Sequence, residues 1–99
     1  MNLLSEKYSK YMEVLGNEER LKILDLLAEK KMCVQEINSQ FFASQATISY
    51  HLSLLKEIGF IKSEKDGKYV YYSLSTDNIK VYLKGFTHDF DTCLSKASA

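Results

Sequence analysis

The sequence predicts a mainly α-helical domain with one β-hairpin, in the order helix, helix, short helix, helix, hairpin, helix. Three observations point to it. Apolar residues recur at spacings of three and four in separate stretches, the pattern of helices that bury one face. Asp66-Gly67 stands between two strand-favouring runs, a strong local signal for a tight hairpin. Gly16, Asn17, Ser44 and Gly59 fall where those helices must start or stop. At 99 residues the chain suffices for one domain that buries somewhat under about two thirds of its unfolded surface, and is too short for a second core.

Leu4, Tyr8, Tyr11, Met12 and Leu15 set the first helix over about residues 2–15, stopped by Gly16. Asn17 caps the second by accepting a backbone N–H, and Glu18 and Glu19 suit the positive end of its dipole. Leu21, Ile23, Leu24, Leu26, Leu27 and Ala28 follow, so apolar a run that the helix is expected to be surrounded by others. After the apolar stretch Met32-Cys33-Val34, residues 35–39 allow a helix of two turns at most. Ser44 then caps a helix over about 45–58 in which Ile48, Leu52 and Leu55 share a stripe, with Gly59 as the left-handed residue beyond its end. The hairpin follows, its positive φ angles supplied by Asp66-Gly67. A last helix over about 77–94, capped by Ser75 or Thr76, carries Ile79, Tyr82, Phe86, Phe90 and either Cys93 or Leu94 on one stripe. A short helix joined closely to a well-capped one, with a hairpin immediately after, is the layout of a winged helix-turn-helix.

Lysine plus arginine total 13 and aspartate plus glutamate total 13, for a net charge of zero, which excludes a protein that coats nucleic acid as a polycation. The balance is uneven along the chain, because no acidic residue occurs from Ile37 to Lys56. With Ile48, Leu52 and Leu55 turned to the core, the fourth helix presents Ala46, Tyr50, Ser53 and Glu57 outward, Thr47 and Ser49 on the flanks, and Gln45 in the first turn. Short hydroxyl side chains, an amide and a tyrosine can enter a major groove and bond to base edges and phosphates. Lys62, Lys65 and Lys68 in the hairpin are placed to meet flanking phosphates. His51 lies about 60° from the buried stripe and is expected to be a half-buried packing residue.

Residues 16–27, 32–37, 44–56, 59–61 and 67–74 together resemble the ArsR/SmtB family of bacterial winged-helix repressors. The most specific part is Ser44-Gln45, Ile48-Ser49 and His51-Leu52, followed by Gly59 and by Tyr71-Tyr72 with Leu74. The resemblance, covering about residues 14–94, implies a homodimer built from the first and last helices, binding a double-stranded DNA operator and repressing transcription until an effector lowers its affinity. It implies that Gln45, Thr47, Ser49 and Tyr50 read bases and phosphates, that Ser44 caps, and that Lys62, Lys65, Lys68 and Tyr69 are the wing contacts. Two recognition helices would then enter successive major grooves about 34–36 Å apart.

The resemblance leaves the effector open. Many relatives bind metal through Cys-Val-Cys, where this chain reads Cys33-Val34-Gln35, and soft-metal sites need several thiolates. A second family site in the last helix falls on Thr76, Asn78, Asp89 and Thr92; a shift by one residue offers Asp77, His88 and Asp91, which a solvated surface also explains. No metal or cofactor is assigned. Cys33 and Cys93 remain as candidates for a thiol sensor, although both also fit as packing residues, Cys93 at a dimer interface. No Gly-rich phosphate loop or oxyanion hole accompanies any cysteine–histidine pair, so an enzyme is not expected. No run is long enough for a membrane span, the amino terminus lacks a signal-peptide layout, and a cytoplasmic site is expected. A winged-helix module that binds a protein instead of DNA is the alternative.

Overall fold

The computed structural model describes residues 4–98, so the predicted start of the first helix at Asn2 and Leu3 lies outside the described residues. The order is α1 (Leu4–Leu15), α2 (Glu18–Glu29), β1 (Met32–Cys33), α3 (Val34–Asn38), α4 (Gln45–Glu57), β2 (Ile61–Asp66), β3 (Tyr69–Leu74) and α5 (Thr76–Ser98). The strands form an antiparallel sheet in the order β1-β3-β2. β1 was legible only as an apolar stretch, since two residues carry no periodicity. It pairs Met32 with Tyr72 and Cys33 with Tyr71, fastening the wing to the entrance of α3.

The core is a single cluster in which Val14, Ile23, Ile37, Ile48, Leu52, Leu55 and Ile61 are almost wholly buried. Every helix except α5 places at least one residue inside. α2 is less enclosed than its composition suggests. Ile23 and Leu27 are buried while Leu21 is 48% exposed, because only one side of the helix meets the core and the other faces solvent.

The punctuation explains the corners. Asn17 Oδ1 accepts the Arg20 N–H at 3.0 Å and opens α2. Cys33 occupies the position before α3, and the Glu36 carboxylate accepts its backbone N–H at 3.2 Å; this bond, together with one from the thiol, holds Glu36 below the usual carboxylate range. α4 closes with a Schellman motif: Phe60 N–H donates to Leu55 O at 3.0 Å and Gly59 N–H to Lys56 O at 2.9 Å, with Gly59 at φ +79°, as such ends require. At the hairpin the expectation needs correction. Asp66 pairs with Tyr69 as the last rung of the strands, so the turn is Gly67-Lys68, and only Gly67, at φ +64°, is left-handed. That is the II′ pattern, with glycine first, and not the I′ pattern of an Asp-Gly turn.

α5 begins one residue earlier than expected and runs on to Ser98. Ile79 N–H bonds to Ser75 O, which makes Ser75, not Thr76, the residue before the helix. Its 23 residues span about 35 Å against about 18 Å for α1, and α1 lies along only part of it. Where they meet, Tyr8, Tyr11, Tyr82 and Phe86 form an aromatic cluster, with Tyr11 and Tyr82 stacked at 4.4 Å and Tyr8 edge-on to Phe86 at 4.9 Å. Tyr8 OH and Lys7 Nζ both bond to Asp89 Oδ2, at 2.5 and 2.9 Å.

Candidate nucleic-acid interface

α4 is sharply two-sided. Ile48, Leu52 and Leu55 are buried, and Ser44, Gln45, Ala46, Thr47, Ser49, Tyr50 and Ser53 are exposed. Ser44 Oγ accepts the Thr47 N–H at 3.1 Å and lies 2.9 Å from Thr47 Oγ1, so these two hydroxyls share one bond at the amino end. Gln45 and Ser49 make no side-chain hydrogen bond among the described residues, and Tyr50 is 57% exposed. The first turn holds no acidic residue, so its N–H groups and dipole face solvent with a positive potential. Ahead of the cap stands Phe42, fully exposed, a residue the sequence reading did not single out.

The wing is tied to this helix by Lys56, whose Nζ donates to Ser63 Oγ at 2.7 Å. Its lysines divide. Lys62 and Lys65 lie three apart on β2, hence on opposite faces of the sheet. Lys62 lines a shallow hollow with Ser75, Thr76, Asp77 and Asn78 at the start of α5. Lys68 sits in the turn itself, with Nζ 5.4 Å from the centre of the Tyr69 ring. Lys65, Lys68 and Tyr69 thus belong to the exposed tip, and Lys62 to the base of the wing.

His51 is 5% exposed, deeper than the half-burial expected, and is bonded at both ring nitrogens. Arg20 Nε donates to Nδ1 at 3.0 Å, and Nε2 lies 3.0 Å from Glu19 Oε1. Burial and bonding remove it from any base-reading role. The sequence held one signal for this network. Arg20 is the only arginine in the chain, and it stands in the first turn of a helix, where the dipole disfavours a cation.

Comparison with known proteins decides the family. The pattern described as "Bacterial regulatory protein, arsR family" matches residues 17–63. An HTH-type transcriptional regulator of Methanocaldococcus jannaschii is 41% identical over 83 residues, covering 80% of this chain and 93% of that one. The chain belongs to the arsR family. It is a DNA-binding transcriptional regulator of a family that is not enzymatic. The cadmium resistance regulatory protein CadC of Listeria innocua is 42% identical over 81 residues, 81% of this chain and 66% of its own length. Among solved structures, HlyU from Vibrio cholerae superposes with a TM-score of 0.69 at 31% identity, covering 85% of this chain and 91% of that one.

The residues considered for sensing in this arsR-family chain are scattered. Within one chain Cys33 is buried and Cys93 exposed. Asp77 precedes His88 by 11 positions on one helix, about 16 Å along the axis, too far to share an ion with it in one chain. Among the described residues no group of three histidine, cysteine or acidic side chains is placed to hold a metal. Asp89 is committed to Lys7 and Tyr8, and these bonds hold its carboxyl below its ordinary range. No helix among the described residues is long and apolar enough to cross a membrane.

Proposed function

We propose that the chain acts in the cytoplasm as a homodimeric repressor of one winged-helix domain per protomer. It would bind a DNA operator through α4 and the wing, and leave it when an effector lowers its affinity. The observation that carries the reading is the exposed face of α4 from Gln45 to Ser53, an acid-free row of mostly short polar side chains on a helix whose opposite face is locked into the core. Gln45, Thr47, Ser49 and Tyr50 are the readers of bases and phosphates, Ser44 fixes the amino end, and Lys62, Lys65, Lys68 and Tyr69 meet the backbone. Support for the dimer comes from α5, which buries no residue within its own chain. It exposes Val81, Leu83, Phe90 and Leu94 by 72, 51, 41 and 54%, beside Met12 of α1 at 45%.

The test is enrichment of duplexes from a random-sequence pool, followed by titration of the winner and of an unrelated duplex. Replacing Gln45 and Ser49 together with alanine should weaken the selected duplex by about 1–3 kcal/mol, roughly 5- to 150-fold, and leave the unrelated duplex unchanged. No enrichment at low salt, with a stable complex to another protein instead, would replace the operator reading by a protein-interaction module.

A further inference from the structure

We propose that Arg20 is the positioning residue of the DNA interface: it fixes the recognition helix α4 against the carboxyl end of α1. The proposal rests on the operator reading of α4 given above. Arg20 is the one basic side chain in the protein with a planar fork, and the fork is used at three places at once. Nε donates to Nδ1 of His51, in the middle of α4, at 3.0 Å. Nη1 donates to Val14 O at 3.2 Å and approaches Glu13 O at 3.4 Å; these are among the last carbonyls of α1, which have no partner within their own helix. The guanidinium carbon lies 5.9 Å from the centre of the Tyr50 ring, so the same group steadies a side chain on the exposed face of α4.

His51 completes the joint. Since Nδ1 accepts from Arg20, the ring proton sits on Nε2 and points to Glu19 Oε1. Two consecutive residues of the first turn of α2 therefore grip one buried ring of α4 from both of its nitrogens. The location resolves the electrostatic anomaly of an arginine at a helix amino end: the side chain reaches back to the negative end of α1, where a cation is favoured. Side chains that read base edges must be held to roughly 0.5 Å and 10–20°. A lysine at this position keeps the charge and loses the fork, so it can satisfy the α1 carbonyls or His51 but not both.

The experiment compares wild type with R20K and H51Q. Backbone residual dipolar couplings report the axis of α4 against α1 and α2 without any DNA, and titrations use the duplex enriched by wild type and an unrelated duplex. In R20K, α4 is expected to reorient by at least about 10° while the protein still unfolds cooperatively. Affinity for the enriched duplex should fall tenfold or more, and affinity for the unrelated duplex should stay within twofold. H51Q, which retains a donor and an acceptor, should lose less than R20K. Unchanged α4 couplings, or R20K binding the enriched duplex within twofold of wild type, overturns the role of Arg20. Equal loss on both duplexes, in proportion to the folded fraction, makes Arg20 a stability residue only. A wild-type protein that enriches no duplex overturns the operator reading itself, whatever the couplings show.

Discussion

α4 and α5 carry the same kind of sequence signal, an apolar stripe at helical spacing, yet four residues of α4 are buried and none of α5 is. The difference lies in what surrounds them. α4 is enclosed by α2, α3 and the sheet, so its stripe is satisfied within one chain and its exposed side is polar. α5 leaves the body of the protein after its contact with α1, and its stripe continues into solvent through Phe90 and Leu94. One helix has a finished apolar face and an unoccupied polar one; the other has an unfinished apolar face. The two faces differ in chemistry, and the proposed function accordingly assigns nucleic acid to α4 and a second copy of the chain to α5.

The largest effect expected from breaking this contrast is on α5. Leu83 and Phe90 are half-exposed in one chain and lie on one side of the helix. Changing both to lysine removes apolar burial from two protomers at once, about 3–6 kcal/mol, or more than 100-fold in the dimer constant. Sedimentation equilibrium should show monomers, while circular dichroism shows an unchanged fold, since neither residue belongs to the core; the melting midpoint should fall only by the dimer's contribution and become independent of protein concentration. A dimer that survives the double change would move the interface elsewhere.

The counterpart on α4 is Ile48→Ala. Ile48 is fully buried, and truncation should cost about 2–5 kcal/mol of folding stability through lost burial and a cavity, read as a shifted urea midpoint. The dimer constant of the folded fraction should be unaffected. Loss of the monomer's fold from the double change at Leu83 and Phe90, with loss of dimer from Ile48→Ala, would invert the comparison and sink it.

Most of the fold was legible because several helix ends are marked by a residue with a local reason to be there: Asn17, Ser44 and Gly59 act within four residues of themselves. The polar face of α4 was legible for the same reason, since periodicity alone separates Gln45 and Ser49 from Ile48 and Leu52. What escaped depends on distant residues. β1 exists because Tyr71 and Tyr72 lie beside it. The grip of Glu19 and Arg20 on His51 spans 32 and 31 positions. The bond from Tyr8 to Asp89 spans 81; the patterns that contain them, the stripe of the first helix and a family position in the last, say nothing of their pairing. The exposure of Leu94 was hidden too, because a stripe shows which side of a helix is apolar and not whether anything covers it.

The smallest effect concerns the junction that lets α5 project at a fixed angle. Asp89 accepts from Lys7 and Tyr8, and the bond from Lys7, followed by that from Tyr8, lowers its pKa, while the same carboxylate raises that of Lys7. A depressed carboxyl contributes stability that is complete above its unfolded value of about 3.9 and declines as pH falls through the lower folded value. A raised ammonium contributes below its unfolded value of about 10.4 and declines as pH rises through the higher folded one. The junction therefore has a plateau between about pH 5 and 9 and weakens at both ends. Asp89→Asn removes the ion pair at every pH, so the wild-type melting midpoint should exceed that of the variant by a small constant margin on the plateau. The margin should shrink once pH falls below the unfolded value of about 3.9 and close only as the wild-type carboxyl takes up its proton at the lower folded value. A margin that shows no decline as pH falls would mean that the ion pair is not its source, and that the aromatic cluster of Tyr8, Tyr11, Tyr82 and Phe86 sets the angle unaided.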